Sequence, residues 1–299
     1  MDERAFLIAL RALPLHPGAG DLRDDAARLA GLVVTTDTLV EGVHFLASDP
    51  AADVAWRLVA TNLSDLAAKG ARVEGVLLNY PLSDPAWDNA FLRGLATVLE
   101  RYDARLLGGD TVSLPPGAPR VLTLTAFGAD AAAPPRWAAQ AGDALWVTGT
   151  IGDARPGLAI ARIGHARDED EAYLLARYRR PTPRLGQGRA LAPHVHAMMD
   201  VSDGLLIDAA RMAEASGLAV AVALDQVPLS RAARRYGLDA LAAATAGDDY
   251  ELLFAAPADW VPPVHATRVG HFAAGSGLSL TRDGTRVPLP HHLGYQHGA

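Results

Sequence analysis

Aspartates recur in this 299-residue chain beside glycine, serine and threonine, in short groups spread along most of its length. The groups are Asp24-Asp25, Thr35-Thr36-Asp37-Thr38, Ser64-Asp65, Gly108-Gly109-Asp110-Thr111 and Asp200-Val201-Ser202-Asp203-Gly204. Carboxylates and hydroxyls are hard oxygen ligands, suited to Mg²⁺ and to the phosphates that travel with it. Each group also has a plain structural reading. Threonine fits a strand, Asp37 can cap a turn, Gly-Gly-Asp can be a tight turn, and one acid is enough to cap a helix. Two acids and a serine at 200–203 exceed what capping needs. Adjacent Asp24 and Asp25 repel one another, and a cation would turn that repulsion into attraction. Together the groups point to several Mg²⁺ ions and a polyphosphate, the inventory of phosphoryl transfer, where positioning and electrostatics supply nearly all the catalysis.

The composition narrows the chemistry further. Cysteine is absent, which excludes disulfides, thiolate nucleophiles, iron–sulfur clusters and zinc–thiolate sites. Lys69 is the only lysine among 27 basic residues, so no Gly-x-x-x-x-Gly-Lys phosphate loop exists, and a Schiff-base enzyme would have to use Lys69. Bound cations must then neutralise most of the phosphate charge, with arginines such as Arg136 assisting. A net charge of −7 gives no general pull toward nucleic acid. No apolar run reaches the roughly 18 residues that span a bilayer. Met1-Asp2-Glu3-Arg4 lacks the basic-then-apolar order of a signal peptide, so cytoplasm is the expected compartment.

The elements that must position these groups read as alternating strands and helices. Apolar spacing predicts a first helix over 2–13, and Leu32-Val33-Val34 and Leu39-Val40 make a buried strand around Asp37. A helix over 53–69 carries Ala55, Leu58, Val59, Asn62 and Leu66 on one face. Asn62 needs a partner there, and bonding to a neighbouring strand's backbone would satisfy it without any function. Strands follow at 73–80, into Gly108-Gly109, and at 121–128, with a helix over 87–102 between the first two. Composition shifts over 129–141, with Pro134-Pro135, which sets the expected domains at 1–138 and 139–299. The second half opens on a strand at 144–147, continues in helices to about 191, and places Asp200–Asp203 before a helix reaching about 214. A last strand is expected at 252–255. The acids at 169–171 read as a helix start favoured by the dipole. The histidines at 291, 292 and 297 read as a solvated terminus.

Longer motifs carry a resemblance. Asp24-Asp25-Ala26, the stretch from Thr36-Asp37-Thr38 to Gly42-Val43-His44-Phe45, Asn62-Leu63-Ser64-Asp65-Leu66-Ala67-Ala68-Lys69-Gly70-Ala71 and Gly108-Gly109-Asp110-Thr111 resemble the thiamine-monophosphate kinase family. So do Val147-Thr148-Gly149-Thr150-Ile151-Gly152, Asp200-Val201-Ser202-Asp203-Gly204-Leu205 and Asp249-Tyr250-Glu251-Leu252, in order over nearly the whole chain. The resemblance implies an α/β (α+β) protein with the two-domain fold of the aminoimidazole-ribonucleotide-synthetase superfamily. Its N-terminal sheet domain would form a homodimer and its C-terminal α/β domain would complete the site. It implies ATP-dependent phosphorylation of thiamine monophosphate to the diphosphate by direct in-line transfer. Motif by motif, the Mg²⁺ ligands would be Asp25, Thr35, Thr36, Asp37, Asp65, Asp110, Asp200 and Asp203, with Asp37, Asp65, Asp110 and Asp203 at the centre of catalysis. ATP would meet Tyr102, Gly109, Asp110, Arg136 and Ser202. His44, Asp248 and Tyr295 would face the thiamine end.

Two departures from the family pattern stand out. Leu22-Arg23-Asp24-Asp25 replaces the usual Gly-x-Gly-Asp-Asp, and Asp248 stands where the family usually has glutamate. Lack of cysteine sets aside the selenophosphate-synthesising and carbamoyl-dehydrating relatives. Aminoimidazole-ribonucleotide synthetase, a phosphohydrolase and a non-catalytic nucleotide-binding subunit are the alternatives.

Overall fold

The structure is a computed structural model that describes residues 3–296. Residue 2 of the expected first helix and His297 of the histidine group lie outside the described residues. The first half runs α1 (Glu3–Leu10), a 3-10 turn (Pro17–Leu22), β1 (Ala27–Leu29), β2 (Leu32–Val40), α2 (Ala51–Ala68), β3 (Arg72–Leu82), α3 (Pro85–Arg101), β4 (Leu106–Ser113) and β5 (Val121–Ala129). The second runs β6 (Ala144–Thr148), α4 (Ala154–Ile163), α5 (Glu169–Arg179), α6 (Leu185–Leu191), β7 (Ala197–Asp200), α7 (Leu205–Ser216) and β8 (Leu218–Ala223). It ends with α8 (Arg231–Tyr236), α9 (Ala240–Ala244), β9 (Leu252–Ala256), β10 (Ala266–Ala274), β11 (Gly277–Arg282) and β12 (Thr285–Val287).

Each half builds one sheet. The first has the order β1-β2-β5-β3-β4, and the second β12-β11-β8-β10-β6-β9-β7. β3 and β4 pair in parallel because α3 carries the chain back between them, whereas β2, β5 and β3 pair antiparallel. Along β5, Leu122, Leu124 and Ala126 are buried under the helices, and the alternate threonines face the other way. That strict alternation is what a sheet with one covered face requires.

α2 ties the halves together. Of its 18 residues only Ala52 and Trp56 escape full burial. A helix buried on nearly every side is a core helix, and its six polar residues must find partners there. One side packs on the first sheet through Leu58, Val59 and Leu66. Its end, Ala67 and Ala68, packs with Met198, Leu252 and Phe254 of the second sheet. Gly188 of α6 lies so close that an added Cβ would stand 1.9 Å from the Ala67 carbonyl oxygen. Polar contacts reinforce the junction. Trp56 Nε1 donates to the Pro181 carbonyl at 3.0 Å, Tyr178 hydroxyl to Asp49 at 2.9 Å, and Arg180 pairs with Asp53 at 2.5 Å. Lys69, 2% exposed, pairs with Asp24 at 2.5 Å and donates to the Met198 carbonyl at 3.1 Å and the Pro134 carbonyl at 3.3 Å. It therefore pins the N-terminal loop, the linker and β7 at one point. Among the described residues no helix is long and apolar enough to cross a membrane.

Candidate active site

A cleft of about 890 Å³ opens between the halves. Its walls come from β2 and the turn after it, one face of α2, one side of α4 along its length, the loop after β7, the loop before β9 and the C-terminal tail.

Strand alternation divides the threonine cluster. Thr35 and Asp37 face α2, where the Thr35 hydroxyl donates to Asp65 and the Asp37 N–H donates to Asn62 Oδ1 at 3.1 Å. Asn62 Nδ2 donates to the Leu58 carbonyl at 2.9 Å, so this fully buried amide is satisfied by backbone alone. Thr36 turns its hydroxyl to the open face of the sheet, donating to the Leu124 carbonyl at 3.1 Å and accepting from Thr125. The α2 helix brings Asp65 to the cleft and Ser64 to Asp200, whose carboxylate accepts the Ser64 hydroxyl at 2.5 Å. Asp200 ends β7, and Ser202 and Asp203 follow in the tight connection into α7. Asp208, in the first turn of α7, accepts both the Asp203 and the Gly204 N–H at 3.1 Å, while Arg211 pairs with Asp203 at 2.5 Å. That connection is held by its own helix.

The carboxylates act on one another. Burial, then Asp25 and Asp203, push Asp37 up to about 6. Burial, then Asp37 and Asp200, push Asp65 well above the usual carboxylate range. Asp200 moves the same way, by burial and then Asp25, against the Ser64 hydrogen bond. Asp25 goes down instead: burial raises it, but the charges of Arg136, 3.1 Å away, and Lys69 outweigh that. One Asp25 oxygen, Oδ2, is buried with no hydrogen-bond partner, its ion pair with Lys69 Nζ standing at 3.6 Å. Among the described residues no three acids or histidines are drawn tightly enough to hold a metal ion unaided. Buried acids that repel one another, one of them with an oxygen short of a hydrogen bond, fit divalent cations whose remaining ligands are phosphate oxygens and water.

Other chemistry lines the same cleft. His44 is part of its lining, with Nδ1 accepting the Val40 N–H at 3.0 Å, as are Asp248 and Tyr295. The Tyr295 N–H donates to the Asp203 carbonyl at 2.9 Å, tying the tail to the acid-bearing loop. Of the residues singled out by sequence, Thr36, Asp37, His44, Asp65, Asp200, Ser202, Asp203, Asp248 and Tyr295 meet in this cleft. Thr35, Asp25 and Arg136 form the layer beneath, with Arg136 donating to the Arg23 carbonyl at 2.5 Å and pairing with Asp25.

Gly109, Asp110 and Tyr102 stand apart. The strand register runs Thr38–Thr123–Asn79–Asp110 across the sheet, three strand spacings or about 14 Å. Every residue of β4 is exposed. Gly109 is required there by pairing, because a Cβ would fall 1.7 Å from the Leu78 carbonyl oxygen. Tyr102 ends α3 with its ring edge-on to Trp56 at 5.8 Å. Sequence reasoning passed over Arg57, Thr61, Arg155, Arg162, Asp208 and Arg211. Arg57 and Thr61 were findable, because 57, 61 and 65 repeat every four residues and so share one helix face.

The fold and the cleft define a class first. Models of the AIR synthase related protein family match residues 23–129 (N-terminal domain) and 140–281 (C-terminal domain). Within that class, a Caulobacter vibrioides thiamine-monophosphate kinase is 41% identical over 94% of this chain and 86% of its own. The Salmonella typhimurium enzyme of the same name is 39% identical over 90% and 87%. The chain belongs to the thiamine-monophosphate kinase family. Among solved structures it resembles AaThiL complexed with AMPPCP and TMP, at TM-score 0.88 and 28% identity, covering 99% of this chain and 97% of that one. The thiamine-monophosphate kinase of Stenotrophomonas maltophilia K279a gives TM-score 0.77 at 37% identity, covering 95% of each.

Proposed function

We propose that this chain is a thiamine-monophosphate kinase that transfers the γ-phosphoryl group of ATP to thiamine monophosphate, releasing ADP and thiamine diphosphate. The observation that carries the reading is the meeting of Asp37, Asp65, Asp200 and Asp203 from both halves in one cleft that His44, Asp248 and Tyr295 also line. The relatives of that name and the AMPPCP- and TMP-bound neighbour support it.

An oxygen of the acceptor's phosphate attacks the γ-phosphorus in line, and the bond from that phosphorus to the ADP oxygen breaks. The acceptor phosphate has a second pKa of about 6 and is mostly dianionic at neutral pH, so the attack needs no general base. The difficulty is bringing two polyanions together. Mg²⁺ ions, when bound, offset that repulsion and stabilise the charge that builds on the transferring oxygens. Asp25, Thr35, Thr36, Asp37, Asp65, Asp200 and Asp203 would hold them, with Asp110. Arg136 and Ser202, with Tyr102 and Gly109, would take the nucleotide. His44, whose ring is oriented by the Val40 N–H at Nδ1, would face the acceptor with Asp248 and Tyr295.

We place the domain division at 138/139, the enzyme in the cytoplasm with its ATP, and its working form as a homodimer. The dimer reading rests on β4, whose exposed Leu106, Leu107 and Val112 leave an apolar strand edge uncovered. A second copy on the open face of that sheet would bring Gly109 and Asp110 to a cleft that one chain does not give them.

The test is ADP release from Mg-ATP with and without thiamine monophosphate. Release that depends on the acceptor is expected, and Asp65→Asn is expected to abolish it with the protein still folded. Acceptor-independent release would instead indicate a phosphohydrolase. No release alongside tight nucleotide binding would indicate a non-catalytic subunit.

A further inference from the structure

Arg57 is the most buried cation on the cleft wall, 3% exposed. Its Nη2 lies 2.6 Å from Asp248 Oδ1, its Nη1 donates to the Tyr178 carbonyl at 2.8 Å, and its plane sits 4.8 Å over the Tyr178 ring. Its Nε is buried with no hydrogen-bond partner. A guanidinium this enclosed is costly unless every donor is used. Asp248 is held with equal insistence. Its Oδ1 also accepts the Tyr250 hydroxyl at 3.2 Å, and its N–H donates to the Ser202 carbonyl at 2.7 Å. Both Asp248 and Tyr250 carry left-handed backbone, φ +70° and +53°. Two strained non-glycine residues separated by a single position persist only where the surroundings over-determine them. Yet the Asp248 side chain remains 36% exposed in the cleft.

Placement then decides what this pair can meet. Arg57, Thr61 and Asp65 lie on one face of α2 and all line the cleft. Arg57 is two helical turns from Asp65, about 12 Å along the axis at 1.5 Å per residue. The phosphates belong at the Asp65 end, so Arg57 stands where the part of the acceptor most remote from its phosphate would lie. In thiamine monophosphate that part is an aminopyrimidine, which offers an exocyclic N–H donor beside a ring-nitrogen acceptor. An aspartate locked next to a guanidinium offers the complement, an acceptor beside a donor.

We propose that Arg57 is a specificity-determining positioning residue, which fixes the Asp248 carboxylate so that the two together read the aminopyrimidine edge of the acceptor. The inference rests on the kinase reading of the cleft. A shortened side chain at 248 is consistent with it, because the carboxylate is brought to its position by Arg57 and by the left-handed backbone and needs no longer reach.

The experiment measures separate KM values for thiamine monophosphate and ATP in wild type, Arg57→Lys, Arg57→Gln, Asp248→Asn and the Arg57→Gln/Asp248→Asn double variant. A second acceptor, with the 4-amino group replaced by hydroxyl, is run beside the first. Wild type is expected to disfavour the hydroxyl acceptor by about tenfold or more in kcat/KM, since a site built to pair a polar edge rejects its analogue. Arg57→Gln is expected to raise KM for thiamine monophosphate about tenfold with KM for ATP unchanged, and to narrow the amino-over-hydroxyl preference. The double variant is expected to be no worse than the poorer single one, as residues acting through one contact are not additive. Arg57→Lys keeps the charge and loses the fork, so its preference falls between. If Arg57→Gln does not fold, the lysine variant and the wild-type preference decide the matter. An unchanged KM for the acceptor in the arginine variants, equal losses toward both substrates, or no wild-type preference for the amino group would overturn the proposal. Wild type without acceptor-dependent ADP release would instead overturn the kinase reading itself.

Discussion

Asp37 shows how a functional side chain works against the fold that holds it. Burial, Asp25 and Asp203 raise its pKa to about 6, so the folded protein binds this proton more tightly than the unfolded chain does. For an acid with a raised pKa, stability is greatest while the proton is on and falls as pH climbs from about 4 to 6, the interval between the ordinary and shifted values. Asp65 and Asp200 extend the same trend upward. Without divalent cations, thermal scans should therefore show a melting temperature that falls as pH rises from about 4 through 6 and goes on falling above it, and Mg²⁺ should restore more of it at the upper end than at the lower. Asp37→Asn removes one charge of the cluster. It should raise the metal-free melting temperature while reducing turnover to background, a trade expected of groups kept for function. Wild-type-like turnover, or a lower metal-free melting temperature, would count against the assignment. The acids themselves were legible in the sequence because Asp37, Asp65, Asp110 and Asp203 stand beside Gly, Ser or Thr, Asp200 is two residues from Ser202, and Asp25 follows a second acid. Asp208 and Arg211 were not, since an acid and an arginine inside a helix look like any solvated pair until the chain turn they brace is seen.

At the scale of elements, periodicity located β2, α2, β3, α3 and β5 within a few residues, because each buries one face or all of itself. The strands β8, β10, β11 and β12 went unread. β8 is a run of alanine and valine with leucine at its head, and β10 mixes His271, Gly270 and Arg268 among apolar residues, so neither gives a clean two-residue period. Their strand character comes from pairing partners far along the chain, which no local pattern reports. β4 was read from its glycines, yet its full exposure was unforeseen. Leu107→Glu tests what that exposure is for. The substitution places a charge on an edge strand at a side chain 60% exposed, where it should cost the single chain within about 0.5 kcal/mol. If a second copy covers β4, light scattering should show dimer giving way to monomer, and turnover should drop with it as Gly109 and Asp110 leave the cleft. An unaltered dimer with full turnover would remove β4 from the interface.

For the whole molecule, the junction between the halves matters as much as either sheet. α2 supplies Arg57, Thr61, Asn62, Ser64 and Asp65 from a single helix while its ends lie in the cores of both halves. The cleft is therefore built on a shared beam, and the sequence hinted at this only through Asn62 standing on the helix's apolar face. Lys69, at the C-terminal end of that beam, stood out in the sequence as the lone lysine and as part of a family motif; its enclosure by Asp24, Pro134 and Met198 appears only in three dimensions. That enclosure gives the molecule a built-in reporter. With every other basic side chain an arginine, a histidine or absent, amine-directed acylation finds one lysine, and it is sealed. Its rate of modification, read by peptide mass, is a clock for how often the two halves part.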